Sequence, residues 1–167
     1  MEPGGYQRLR GAVVTAAAAG PSQGLNSRRL LGYAGLLPFA GCLAVMLLAD
    51  DRGLQALAAA QLLNYAGLIA SFLGAVHWGA AIYGRQGPQP IRLAWGVTPA
   101  LLAWLLLNLP QDIAFAGFAA LFGIILLVDC YLLPLLDDDY RRLRLRLSTL
   151  VIACLLTAAA TTPVVTA

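Results

Sequence analysis

The sequence predicts an all-α fold, a bundle of five transmembrane helices in one polytopic membrane protein. Three observations predict it. Hydrophobic residues make up 60% of the 167 positions and charged residues 11%, whereas a soluble domain carries about a quarter charged residues. Five apolar runs near the length of a bilayer-crossing helix are separated by short polar breaks. The arginines fall in alternate breaks, as in a chain that crosses a membrane repeatedly.

Residues 1–29 read as a flexible, uncleaved basic tail. Arg8 and Arg10 precede the short apolar run Ala12 to Ala19. A signal or transit segment is the competing reading, but the run is very short and rich in alanine. The membrane domain is expected over 30–165. The first span is 30–49, and Asp50, Asp51, Arg52 and Gly53 make the turn after it. The second span, 54–83, exceeds the roughly 20 residues a bilayer needs, so it tilts or protrudes. A loop of Gly, Pro and Gln follows, which no helix favours. The third span is 91–109, with Trp95 and Trp104 near its ends, where interfacial aromatics belong. Pro110, Gln111 and Asp112 form a turn, and the fourth span is 113–136. Asp137 to Arg146 is a charged connection, acidic first and then basic, and the fifth span is 147–165.

All eleven basic residues are arginines. Ten lie in the N-terminal tail, the loop after the second span and the loop after the fourth; the opposite face has only Arg52. Arginine-rich short loops stay cytoplasmic. The expected orientation is therefore N-terminus in the cytoplasm and C-terminus outside, in a bacterial inner membrane or, alternatively, the mitochondrial inner membrane. The net charge of +3 is read through this distribution, and no nucleic-acid partner is implied. Cys42, Cys130 and Cys154 lie in apolar runs without CxxC spacing, as small buried side chains do.

The most informative stretch is Gln61 to Tyr83. Gly67 and Ser71 are four apart, as are Ala70 and Gly74, and Ala75 and Gly79. Such spacings let helix backbones approach closely in lipid. Gly67, Ser71, Gly74 and Asn64 are thus candidate helix-packing residues. His77, the sole histidine, lies about 9 Å from the inner end of its span, and Asp129 lies about 10 Å deep in the fourth. Ionisable groups in a bilayer are costly and turn toward partners within the bundle. Arg92 and Arg144, near span ends, can reach inward. Pro38, Pro99 and Pro134 free the carbonyls of Ala34, Trp95 and Cys130 at a similar depth. The expected candidate site is an intramembrane polar cluster of His77, Asp129, Trp78, Tyr33, Trp95, Arg92 and Arg144. It reads either as a shallow water-accessible cavity opening inward or as a static network that locks the bundle.

Other chemistry is weakly supported. No metal site is expected from one histidine and unpaired cysteines. There is no Gly-rich phosphate loop ahead of a helix, and no cofactor is expected. Ser71 lacks a base on its own helical face. The Asp137-Asp138-Asp139 triplet reads as a solvated loop before it reads as a cation site.

Several stretches carry a family resemblance: Gly32 to Phe39, Ser71 to Gly79 (SFLGAVHWG), Trp95 to Trp104, then Asp129, Tyr140-Arg141 and Arg144 to Thr149. On these the chain resembles the domain-of-unknown-function 3429 family, which is transmembrane-protein-69-like. The resemblance covers roughly Leu30 to Leu156. It implies a small polytopic protein of bacterial inner membranes or mitochondria, and it implies no activity. The expected function is non-enzymatic: an accessory or assembly protein that binds the lipid bilayer and another membrane protein, or itself. The alternative is a small transporter or proton/ion pathway using His77 and Asp129. A lipid-modifying enzyme is a weaker third class.

Overall fold

A computed structural model describes residues 29–83, 90–132 and 138–162. The chain divides at Ala34 and Gly35 into two units. Of the first, segment 29–34 is helical. The second unit contains five helices: α1 Leu37–Leu48, α2 Arg52–Tyr83, α3 Pro90–Leu106, α4 Gln111–Leu132 and α5 Asp138–Thr161. The described residues include no strand. Four helical stretches, Arg29–Leu48, Arg52–Ile82, Gln111–Tyr131 and Asp138–Thr161, are long and apolar enough to cross a membrane. The apolar helix α3 is shorter, at 17 residues, about 26 Å at 1.5 Å per residue.

Local chemistry sets the helix starts. Pro38 occupies the first turn of α1, where its missing N–H costs nothing and its fixed φ suits a helix. The chain turns at Gly35 and Leu36 just before it. The Tyr65 hydroxyl of α2 donates to the Gly35 carbonyl at 3.1 Å. At the next turn Asp51 Oδ1 accepts from the Gly53 backbone N–H at 2.8 Å, starting α2. The charged connection expected before the last span is already helical: α5 begins at Asp138. Asp138 and Asp139 favour the positive end of the helix dipole, and Arg141 pairs with Asp138 at 3.2 Å, one turn on. The N-terminal tail, the loop 84–89 and Pro134 lie outside the described residues.

Helix α2 is central and packs against α1, α3 and α4, while α5 packs against α4 and α1. Its core face is the stripe Leu62, Ala66, Ala70, Leu73 and His77, all buried. Helix α4 contributes Phe115, Phe118, Phe122 and Ile125, spaced to face one direction. Phe39 of α1 meets Tyr65 and Phe122 edge-on, with ring centroids 5.1 and 6.3 Å away. In lipid, close packing replaces the hydrophobic effect as the force between helices. The closest approach is α2 on α3, where Gly74 and Gly96 meet. A Cβ on Gly74 would stand 2.6 Å from the Gly96 carbonyl oxygen, and one on Gly96 would collide with the Trp78 indole.

Candidate functional site

The inward stripes of four helices all finish in a polar residue at the same end of the bundle. In α2, the buried run Leu62, Ala66, Ala70 and Leu73 leads to His77. In α4, Phe115, Phe118, Phe122 and Ile125 lead to Asp129, four residues on. Read backwards, α5 carries Leu155, Val151 and Ser148 toward Arg144. In α3, Ala103, Pro99 and Gly96 lead back to Arg92. Steps of three and four residues keep each polar group on the core face of its helix. α2 and α4 end where α3 and α5 begin, so the antiparallel connections bring the four residues to one end.

Three of them are joined in one network. His77 Nε2 lies 2.8 Å from Asp129 Oδ1. Arg144 donates to Asp129 Oδ2 from Nε at 2.7 Å and from Nη2 at 2.6 Å. An ionised carboxylate only accepts, so His77 Nε2 carries the hydrogen. His77 is fully buried, and Asp129 and Arg144 are 11% and 12% exposed. Charge-assisted bonds of this kind are short and strong. They tie α2, α4 and α5 together where lipid could not solvate any of the three groups.

The structure places the other candidates in different ways. The Trp78 indole N–H donates to the Leu93 carbonyl of α3 at 2.8 Å. Trp95 is partly buried against the hydrophobic core, and its Nε1 has no hydrogen-bond partner among the described residues. The same holds for Arg92 Nε and for His77 Nδ1. Tyr33, in the first unit, is exposed. Gly67 and Gly74 pack against α3. The Ser71 hydroxyl donates to the Gly67 carbonyl of its own helix at 2.8 Å, so it needs no partner elsewhere. Asn64 lies on the exposed face of α2.

That exposed face is a second feature of the site. Leu57, Gln61, Asn64, Leu68, Phe72, Ala75, Gly79 and Ile82 are all exposed, at steps of three and four residues. Leu68 and Phe72 are 69% and 66% exposed. Around Gly79 there is nothing within 4 Å of where a Cβ would be. Neither Gln61 nor Asn64 has a hydrogen-bond partner among the described residues.

Sequence reasoning did not find Gly96 or the Leu93 carbonyl. The cradle for Trp78 depends on the register of α2 against α3, and Gly96 alone is a weak signal for that. Nor did it find the cavity of about 470 Å³ at the opposite end of the bundle, lined by Arg52, Gln55, Gln111 and Thr162 among others. None of the predicted site residues lines it. Among the described residues there is no cluster of three metal-ligating side chains.

Comparison with known proteins places the chain. The profile of a family described as "Protein of unknown function (DUF3429)" matches residues 26–160. Transmembrane protein 69 of Xenopus tropicalis is 38% identical over 120 residues, which is 68% of this chain and 46% of that protein. The chain thus spans less than half the length of this relative. No solved structure matches it. A family match over residues 26–160, on a chain whose helices have the length and apolarity to cross a membrane, identifies it as a membrane protein of the DUF3429 family.

Proposed function

We propose that the protein is a non-enzymatic accessory or assembly factor of an inner membrane, which binds another membrane protein along the outer face of α2. Asn64 carries this reading. It is the thirteenth of the 32 residues of α2, about 18 Å from the helix start, and so well inside the hydrocarbon layer. It is exposed there and has no hydrogen-bond partner among the described residues. A polar amide facing lipid is unfavourable, and polar side chains in membrane helices bond to neighbouring helices. The exposed small pair Ala75 and Gly79, beginning about three turns further on, lets another backbone approach closely. The partner is therefore a transmembrane helix with a hydrogen-bonding group near mid-depth.

The inner network fits the same reading. Asp129 is engaged on both carboxylate oxygens, as suits a clamp that holds the docking helix in place. The arginine distribution, ten to one, supports a cytoplasmic N-terminus.

Photo-crosslinking in native membranes tests the proposal. A photoreactive residue at Phe72 or Gly79 should give a discrete protein adduct. The same probe at Leu127 of α4 or Leu150 of α5, both exposed, should give lipid adducts. Lipid adducts alone at all four positions would contradict the docking role. The adduct mass separates a different protein from a second copy of this chain.

A further inference from the structure

We infer that Arg92 and Trp95 of α3, beside His77 of α2, form a binding site for a phosphate group at the arginine-rich end of the bundle. Four inward stripes end there in polar residues, but only three of those residues are bonded to one another. Arg144 and His77 occupy both oxygens of Asp129. Arg92 is the fourth member. It has no ion pair or hydrogen bond among the described residues, and its Nε is buried.

The register of the helices brings the open groups to one level. The Trp78 indole bonds to the Leu93 carbonyl, and Gly74 abuts Gly96. Residues 92–95 of α3 thus run past about residues 75–79 of α2. Three buried nitrogens without a partner among the described residues lie along this stretch: Arg92 Nε, Trp95 Nε1 and His77 Nδ1. His77 is fully buried. Two of the three, the guanidinium and the indole, are donors only; His77 Nδ1, with the hydrogen on Nε2, is left to accept from a protonated phosphate oxygen. The charges are unequal as well: Arg92 and Arg144 carry two positive charges against one on Asp129. Buried donors with excess positive charge call for an oxygen-rich anion. Arg92 is the third residue of α3, near the level of lipid headgroups, and an arginine fork matches phosphate oxygens.

The phosphate could be that of a lipid headgroup or free in solution, and the experiment separates the two. The purified full-length protein is placed in nanodiscs of phosphatidylcholine with phosphatidic acid, or of phosphatidylcholine alone with inorganic phosphate added. Retained ligand is then read by native mass spectrometry. Wild type should retain phosphatidic acid, or phosphate if the free ion is the ligand. Arg92→Gln should reduce retention by at least about tenfold, as expected for losing a charge-assisted bond. Arg142→Gln removes an exposed charge from the same end and should change retention little. Circular dichroism and thermal melting of each variant show that it is folded. Equal losses in the two variants would reduce the effect to general surface attraction and overturn the proposal. So would a folded wild type that retains neither ligand. Should Arg92→Gln fail to fold, Trp95→Phe, which removes only the indole N–H, is the second variant, and unchanged retention in it overturns the site.

Discussion

Asp129 accepts from His77 on one oxygen and from Arg144 on the other. Removing it leaves two buried donors with nothing to accept from them. Asp129→Ala should therefore destabilise the protein by about 3–5 kcal/mol, the usual cost of breaking a buried pair from one side, measured by denaturant titration in detergent. Replacing all three residues with apolar side chains of similar volume should cost less than that single change, because no group is then left unpaired. Depth counted from the loops already sets His77 and Asp129 level in the sequence. The choice of Arg144 over Arg92 as their third partner is not legible there. It depends on how α5 enters the bundle, and the charged residues 138–146 disguise the first turns of that helix as a loop.

α2 works as an element with two faces. Its core face is glycine, alanine and leucine ending in His77; its outer face carries Asn64, Phe72 and Gly79. The glycines divide along the same line. Gly74→Ala should loosen α2 from α3, because the added methyl would stand 2.6 Å from a backbone oxygen; overpacking of this kind costs about 1–3 kcal/mol. Gly67→Ala meets the Leu107 methyl at 3.4 Å and should be nearly neutral. Gly79→Ala meets nothing and should leave the melting temperature unchanged. The small-residue spacings read from the sequence mark close approach but not which neighbour is approached. Gly74 approaches α3 within the chain, whereas Gly79, five residues on, is open on the outside.

At the scale of the whole molecule, the five-helix fold was legible because composition and alternating polar breaks suffice to define membrane helices. The exposed face of α2, proposed as a docking face, was not, since the same small and polar residues could serve packing inside one chain. Only the packed bundle shows that Asn64 is left outside it. The most direct test of that placement uses wild type, Asn64→Leu and Asp129→Ala, each extracted in mild detergent and compared by native gel and thermal melting. An interhelical hydrogen bond is worth about 0.6–2 kcal/mol, so Asn64→Leu should weaken partner retention about 3- to 30-fold while melting like wild type. A folded Asn64→Leu protein that keeps its complex, or a wild type that migrates as a lone chain, would contradict the account.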